Sequence, residues 1–445
     1  MEKITFVLPS RNNLEFLKLA YESIRNLETR HEILILDDAS VDGTSEWIKE
    51  LSDPDLLTFV NKGPERVGIV GMFDKGIEMA KTDIIFAFHA DMVAGPKLDE
   101  NILRHLKRGT IVTATRVEPP LHPEGPEKII QPLGNEVEHF SLDNWYEWCK
   151  GAITANEKTT EGIFAPWCMY KEDFLAIGGH DELFAPQSRE DSDLFNRFYL
   201  AGYKFIQPWN ALVYHFTSRG SRFNKHAGGD TMMDSPEWQQ TNSKNMRNFV
   251  RKWGTQVQHD MYMKPIVTPK YDIGFIVKNC NVSDIGALEP WCSTLYTDGD
   301  YKKYIDLEQP NTTINLSDKL KPIDNEKNNN ILVEFDASLL NNERFNFITK
   351  LLHIINDSGS IGTSEYDIFI INGGSGYTEA PNVEIEAPNG GQAGIQMKAV
   401  ATVFEGKVEK IKVTQIGSGY ISTPKVKLSK PANGNVALVV ASLPE

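Results

Sequence analysis

Acidic and polar side chains follow the apolar runs in the first part of the sequence. They stand in four segments: Pro9-Ser-Arg-Asn12, Asp37-Asp-Ala-Ser40, Asn61-Lys-Gly63 and His89-Ala-Asp91. In an open α/β sheet, ligands bind just beyond the carboxyl ends of the strands. Hard carboxylate oxygens in that position suit Mg²⁺ or Mn²⁺, and an imidazole among them favours Mn²⁺. The pattern therefore predicts a functional site, and not a core, at one edge of a sheet.

The elements that would position these residues are short strands and amphipathic helices in alternation. The apolar runs occupy residues 4–8, 33–36, 56–60, 84–88 and 111–114, and none of them alternates apolar with polar side chains. Such runs are typical of strands buried on both faces in a parallel sheet. Between them, residues 14–27 and 69–80 carry apolar side chains at three- and four-residue spacing, which indicates helices. We predict a doubly wound, mostly parallel α/β sheet.

The chain is long enough for several domains, and its pattern changes twice after this sheet. Another helix is predicted over 191–201, closed by Gly202, and the first domain is expected to span 1–260. Residues 271–361 resume an α/β pattern and predict a small accessory domain. From 366 to 445 the sequence Gly-Ser-Gly-Tyr occurs twice, at 374–377 and 417–420, each time before a short alternating strand. This repeat predicts a C-terminal all-β module.

Composition excludes several classes of protein. The formal net charge is −15, whereas a nucleic-acid-binding protein needs a concentrated basic face. No stretch approaches the roughly 18 apolar residues of a membrane span, and the chain opens on a strand-like run without a signal pattern. The four cysteines include no CxxC pair, which favours buried, reduced thiols. We expect a cytoplasmic protein that binds neither nucleic acid nor a membrane.

Four motifs in order resemble those of family 2 glycosyltransferases of GT-A fold. Asp37-Asp-Ala-Ser-Val-Asp-Gly-Thr44 resembles the family's D-D-[GA]-S-x-D-G-T, and His89-Ala-Asp91 stands where the family carries D-x-D. Gly178-Gly-His-Asp-Glu182 is similar to its G-G-[FH]-D-E segment. Glu190-Asp191, with Leu194, Arg197 and Ala201-Gly-Tyr203, resembles its E-D-x-D-L-x-x-R-x-x-x-x-G-Y block. The resemblance covers about residues 1–255 and implies transfer of a sugar from a nucleotide-sugar donor, with a UDP-sugar favoured.

The resemblance implies a divalent cation, Mn²⁺ or Mg²⁺, that stabilises the nucleoside diphosphate leaving group. Asp91 is the expected metal ligand, and His215 matches the family's late histidine that reaches the metal or the diphosphate. His89 departs from the family, because it replaces the usual first carboxylate; this replacement either weakens the metal site or leaves His89 facing the ribose or phosphate. The alternatives are a turn aspartate for Asp91 and a structural histidine for His215.

The resemblance also assigns residues to the nucleotide. One of Asp37 and Asp38 would accept a hydrogen bond from an N–H group of the base, and the other would lie near the ribose or diphosphate. The alternative for both is an Asx turn. Pro9 and Arg11 would line the base pocket, although Arg11 could equally be a surface residue. A basic group formed by Arg219, Arg222 and Lys225 is either a lid over the diphosphate or a solvated loop.

Inverting transfer needs a general base that takes the proton of the acceptor hydroxyl. By motif position this base is Asp191, with Glu190 orienting it or the acceptor; the alternative is a pair of ordinary acids at a helix N-terminus. Asp181 and Glu182 would contact the acceptor, a glycan or another hydroxyl compound. Trp167 could stack on a sugar face, and buried aromatic core is the alternative for it.

The Gly-Ser-Gly-Tyr repeats resemble small β-modules of bacteriophage structural and tail-associated proteins. This resemblance implies a tether or oligomerisation module, and hence a phage-encoded enzyme in the host cytoplasm or on a virion. The alternative is an accessory domain that only covers the catalytic unit.

Two other functions compete with a glycosyltransferase. A nucleotidyltransferase also places carboxylates at strand ends, but it usually has a glycine-rich loop after the first strand, which 9–13 lacks. A non-catalytic glycan-binding or virion structural protein on a degenerate transferase fold would explain His89 and the repeats. Retention of Asp91 and of Glu190-Asp191 disfavours this second alternative.

Overall fold

The computed structural model describes residues 2–155, 158–219, 222–358, 368–389, 394–420 and 422–441. The chain divides into two compact units. The first comprises Met1–Ser243 and His259–Ile266, and the second comprises Lys244–Gln258 and Val267–Glu445. The predicted limits at 361 and 366 lie outside the described residues. Across the described ranges, no helix is both long and apolar enough to span a membrane.

The first unit alternates strands and helices. Its strands are β1 (Ile4–Ser10), β2 (Glu32–Asp38), β3 (Leu56–Asn61), β4 (Ile84–Ala87), β5 (Met92–Ala94), β6 (Thr110–Thr113), β7 (Thr115–Glu118), β8 (Ile129–Ile130), β9 (Thr159–Thr160), β10 (Trp167–Tyr170), β11 (Lys204–Pro208) and β12 (Leu212–His215). Its helices are α1 (Leu14–Arg25), α2 (Thr44–Glu50), α3 (Gly68–Met79), α4 (Leu98–Leu103), α5 (Leu142–Ala155), α6 (Lys171–Ala176), α7 (Glu190–Leu200) and α8 (Pro236–Trp253), of which α8 ends in the second unit.

The main sheet of this unit has eight strands in the order β3-β2-β1-β4-β10-β6-β11-β9. Strands β3, β2, β1 and β4 are parallel, whereas β10 lies antiparallel between β4 and β6. A second sheet has the order β5-β12-β7-β8. The carboxyl ends of β1, β2 and β4 consequently open at one edge, as the residues after these strands predict.

Burial of apolar side chains accounts for these elements. Every residue of β1 and β2 is buried, which agrees with strands covered on both faces. Helix α1 buries Leu17, Ala20 and Ile24, the side chains that three- and four-residue spacing places on one face. Helix α7 spans almost the predicted range, and Gly202 follows it at φ +81°, a left-handed conformation that suits glycine after a helix.

The second unit begins with a four-stranded parallel sheet. Its elements are β13 (Ile273–Lys278), α9 (Val282–Leu288), β14 (Thr294–Thr297), α10 (Tyr301–Glu308), α11 (Leu316–Lys319), β15 (Leu320–Pro322), β16 (Ile331–Asp336), α12 (Asn342–Thr349) and α13 (Leu351–Ser358). The strand order β15-β14-β13-β16 repeats the order β3-β2-β1-β4 of the first unit. A separate apolar core around Phe275, Val277 and Leu295 stabilises this sheet.

The C-terminal module consists of paired antiparallel strands. They are β17 (Ile368–Asn372), β18 (Val383–Ile385), β19 (Lys398–Phe404), β20 (Lys407–Gln415), β21 (Val426–Leu428) and β22 (Leu438–Ala441), paired as β17-β22, β18-β21 and β19-β20.

The two Gly-Ser-Gly-Tyr copies make matching contacts in this module. The Tyr377 hydroxyl accepts from the Ala437 amide at 2.9 Å, and the Tyr420 hydroxyl accepts from the Met397 amide at 3.1 Å. The hydroxyls of Ser375 and Ser418 likewise each accept a hydrogen bond from a backbone amide. That amide stands two residues before the one that contacts the tyrosine of the same copy. The sequence repeat therefore corresponds to a structural repeat.

Candidate active site

The two aspartates at the end of β2 are held by different contacts. Asp37 is fully buried and accepts hydrogen bonds from the Ser40 amide at 3.2 Å and the Ser45 hydroxyl at 2.6 Å. Asp38 accepts from the Val67 and Gly68 amides, both at 2.8 Å, and so fixes the start of α3. The contact of Asp37 with Ser40 is a local turn contact, whereas the partners of Asp38 lie far along the chain, so an Asx turn does not describe Asp38.

Glycine is required at the start of α3. Gly68 has φ +87°, and a Cβ atom there would lie 2.4 Å from the Cβ atom of Pro186. Its amide donates to Asp38, so one residue joins the end of β2 to the loop before α7. The sequence contains this glycine but has no pattern that reveals the contact with Pro186.

Asp91 and His215 face each other where the main sheet meets the second sheet. Asp91 is 5% exposed; its Oδ2 accepts from the Arg219 amide at 3.0 Å, and its Oδ1 lies 3.8 Å from His215 Nε2. They approach because β12 pairs antiparallel with β5, which follows Asp91 directly. The structure thus brings together the two residues predicted to bind a metal.

Glu118 is a functional candidate that the sequence-based prediction missed. Its Oε1 lies 3.0 Å from His215 Nδ1, and Lys128 contacts its Oε2 at 2.9 Å. Burial alone would raise the pKa of Glu118, but His215 and Arg116 outweigh it and hold that pKa well below its ordinary value. Glu118 is the last residue of its strand, as Asp38 is, and that position was the available signal.

The arrangement suits a divalent cation with two protein ligands, the Asp91 carboxylate and the His215 imidazole. With Nδ1–H donated to Glu118, the Nε2 lone pair of His215 is directed towards the Asp91 carboxylate. A carboxylate behind a metal-binding histidine fixes its tautomer in this way. No group of three or more His, Cys, Asp or Glu side chains suited to a metal occurs in the described part of the chain. Mg²⁺-type sites with one or two protein ligands complete their coordination with substrate phosphates and water.

His89 lies within the field of the predicted catalytic carboxylates. Burial lowers the pKa of His89, while the charges of Asp91 and Asp191 raise it in opposition. Its ring also packs 5.6 Å from the ring of Phe73 in α3. A neutral imidazole here adds no positive charge next to a bound cation.

Glu190 and Asp191 begin α7 after two residues in left-handed conformation, Ser188 and Arg189. Glu190 Oε2 is buried and has no hydrogen-bond partner. Burial and the neighbouring Asp191 charge raise the pKa of Glu190 to about 8. The protonated form of Glu190 is therefore favoured at neutral pH.

The residues predicted to contact the acceptor lie in different settings. Trp167 in β10 is 1% exposed and stacks on Phe174, with 5.8 Å between ring centroids. This setting agrees with the alternative that Trp167 belongs to the buried aromatic core. Asp181 accepts from the Leu183 amide at 2.9 Å, and Glu182 is exposed. Arg197 holds this loop by donating to the carbonyl oxygens of residues 177 and 179 at 3.0 and 2.7 Å. Its place in the E-D-x-D-L-x-x-R block therefore has a structural reason.

Arg11 is paired and does not lie free on the surface. The buried Pro9 lies in β1, two residues before Arg11. The guanidinium of Arg11 donates to Glu237 at 3.2 and 3.3 Å. Arg66 contacts the same carboxylate and donates to Gln187 at 3.2 Å. Arg66 and Glu237 were missed, since no motif marks either residue.

The predicted basic group has acidic partners in the structure. Arg219 is 4% exposed and lies 3.0 Å from Glu136. Arg222 pairs with Asp234 at 2.8 Å, and Lys225 approaches Asp230 at 4.0 Å. Two of these three cations, Arg219 and Arg222, therefore form ion pairs of 3.0 Å or shorter. The four cysteines are buried and free, as expected.

Comparison with known proteins assigns the N-terminal part of the chain. Residues 5–169 match the model of Glycosyl transferase family 2. The match and the mixed sheet confirm the predicted GT-A fold, and the match confirms the predicted enzyme class for the part it covers. The chain is also 23% identical over 120 residues to undecaprenyl-phosphate mannosyltransferase of Micrococcus luteus, spanning 26% of this chain and 49% of that protein. It thus covers about half of this relative.

Two solved structures show weaker likeness. The crystal structure of GalNAc-T7 with UDP, GalNAc and Mn²⁺ has a TM-score of 0.37 and 14% identity, over 48% of this chain and 44% of that one. Mannosyltransferase PcManGT from Pyrobaculum calidifontis, in complex with GDP-Man and Mn²⁺, has a TM-score of 0.37 and 16% identity. That likeness covers 56% of this chain and 63% of the other.

Proposed function

We propose that this protein is a metal-dependent, inverting glycosyltransferase that moves a sugar from a nucleotide-sugar donor to a hydroxyl acceptor. The observation that carries the proposal is the approach of Asp91 Oδ1 and His215 Nε2 to 3.8 Å beside the catalytic-type carboxylates. The favoured donor is a UDP-sugar and the acceptor a glycan or another hydroxyl compound.

The donor's diphosphate would lie at the carboxyl edge of β1, β2 and β4. Mn²⁺ or Mg²⁺ held by Asp91 and His215 would supply positive charge to the leaving nucleoside diphosphate. Glu118 holds the His215 ring, and Asp38 keeps the start of α3 in place. Arg11 and Arg66 add two cations on the same edge, suited to the donor's negative charge.

The acceptor hydroxyl would lose its proton to Asp191 as its oxygen attacks the anomeric carbon. Glu190, which holds its own proton, can donate a hydrogen bond but cannot serve as the base at neutral pH. The bond from the anomeric carbon to the diphosphate oxygen breaks as the new glycosidic bond forms on the opposite face, so the configuration inverts.

The C-terminal module is proposed as a tether or oligomerisation module. Its interlocked repeats form a core of their own around Ile385, Ile411 and Val439. A phage-encoded enzyme would act in the host cytoplasm, or on a virion to which the module binds. The competing function is a glycan-binding or virion structural protein without activity; His89 in place of the family's first carboxylate and the C-terminal repeats favour it.

A donor panel tests the proposed function. Purified full-length protein is incubated with UDP-, GDP- and dTDP-sugars, with and without Mn²⁺, and release of nucleoside diphosphate is measured. We expect Mn²⁺-dependent release from one donor, including slow hydrolysis without an acceptor. If no donor is cleaved and no nucleotide shifts the melting temperature, the protein is not a transferase and the binding function is favoured.

Replacing Glu118 tests how His215 is held for the metal. Glu118→Gln keeps the shape but turns the acceptor into a weaker partner for Nδ1–H, so we expect Mn²⁺ affinity to fall by about 10–100-fold. Electron paramagnetic resonance of free Mn²⁺ in the presence of UDP measures this directly. Exposed Glu147, which pairs with Lys150 in α5, provides the matched control Glu147→Gln. Unchanged Mn²⁺ affinity in Glu118→Gln would contradict the assigned role.

A further inference from the structure

Two arginines at the carboxyl edge of the main sheet share one carboxylate. Arg11 follows β1 and Arg66 lies just before α3, and both guanidinium groups contact Glu237 in the first turn of α8. The three side chains, together with Gln187, Asn224 and Ser235, line a small cavity of about 10 Å³, which Glu237 largely fills. All six residues lie in the first unit.

The arginine pair has more donors than Glu237 can satisfy. The Nε atoms of Arg11 and Arg66 are both buried and have no hydrogen-bond partner. The nearest further carboxylate, Asp38, lies 3.9 Å from Arg66 Nε and already accepts from two backbone amides. Two guanidinium groups with unused donors around one cavity are suited to a doubly charged anion, because each can bind two oxygens at once.

Glu237 is able to leave this site. Its side chain is 38% exposed, and it stands in the first turn of α8, where a rotamer change takes the carboxylate into solvent without unfolding the helix. Water screens half-exposed ion pairs and leaves them weak, so an incoming ligand has little attraction to overcome. A phosphate group, with more charge and more acceptor oxygens, competes well for the same donors.

We propose that Glu237 is an internal anion that occupies a phosphate site built by Arg11 and Arg66 and is displaced when the diphosphate of the donor binds. This inference deepens the proposed function and rests on it for the identity of the ligand. In the ligand-free protein the single charge of the acid offsets one of the two arginine charges. Donor binding exchanges one anion for another, so the carboxylate acts as a built-in competitor that weakens binding of the donor and of the nucleoside diphosphate product.

Isothermal titration of the full-length protein with inorganic pyrophosphate, and separately with UDP and GDP, tests the exchange. We expect Glu237→Gln to bind pyrophosphate about tenfold more tightly than the wild type, since removal of an internal competitor raises the fraction of competent sites. Glu147→Gln removes the same charge far from any arginine pair and should bind as the wild type does. In the double variant Glu237→Gln/Arg66→Gln the gain should disappear.

Equal or weaker pyrophosphate binding by Glu237→Gln, or no pyrophosphate binding by either protein, would overturn the inference, even if the donor panel shows transfer. Tighter pyrophosphate binding by Glu237→Gln that is lost in the double variant supports the inference. If that result occurs while no nucleotide binds with or without Mn²⁺, the phosphate site stands and the proposed glycosyltransferase function fails.

Discussion

Asp191→Asn should lower the turnover rate by about 10²–10⁴-fold while donor affinity changes little. Asparagine keeps the size and the place of the side chain at the start of α7 but cannot take the proton of the acceptor hydroxyl. Glu190 cannot replace it, because burial raises its pKa and it is already protonated at neutral pH. Nucleoside diphosphate release with acceptor and Mn²⁺, measured at saturating donor, gives the turnover rate, and titration with the donor's nucleotide gives the affinity.

A helix-terminal acid elsewhere in the same unit provides the control. Asp143 is exposed and lies in the first turn of α5, as Asp191 lies in the first turn of α7. Asp143→Asn removes the same favourable interaction with the helix dipole, worth about 0.3–1 kcal/mol, and should leave the rate unchanged. If Asp191→Asn behaves like Asp143→Asn, Asp191 is an ordinary helix-terminal acid and not the general base.

Arg251→Ala should destabilise the second unit by about 3–5 kcal/mol, because it removes one of the two cations that balance the buried Glu289 carboxylate. Arg251 is fully buried and donates to Glu289 at 2.8 Å, to Glu308 at 2.8 Å and to Asn248 at 2.7 Å. Burial alone would raise the pKa of Glu289, but the charges of Lys319 and Arg251 outweigh burial and lower this pKa to about 2. Loss of Arg251 leaves Glu289 with Lys319 and the Tyr304 hydroxyl alone.

Urea unfolding followed by hydrogen exchange of amides in β13 and α10 measures this loss. Lys278→Ala is the matched control, because Lys278 and Glu334 form an ion pair of 2.6 Å in the same unit with both side chains more than half exposed. We expect the free energy of unfolding of that variant to stay close to that of the wild type, because water screens an exposed ion pair. A loss of similar size in both variants would show that the buried network contributes no more than a surface pair.

Local sequence patterns were sufficient for the elements and for much of the site. Non-alternating apolar runs predicted β1 to β4, since strands covered on both faces need apolar side chains at every position. The helix periodicities placed α1, α3 and α7. The four motifs identified the carboxylates that stand at the sheet edge, because a motif records residue type and spacing within one element or its adjoining loop.

The tertiary structure decided which residues from separate elements meet. Glu118 contacts His215 from 97 residues away because β7 and β12 are neighbours in the second sheet, and Glu237 reaches Arg11 from 226 residues away. Strand order and helix packing determine such pairs, and spacing along the chain carries no record of them. The same holds for Arg251, whose buried partners place residues 244–258 in the second unit. Sequence alone thus determined the elements and the residue types at the site, whereas the fold determined their partners, burial and protonation.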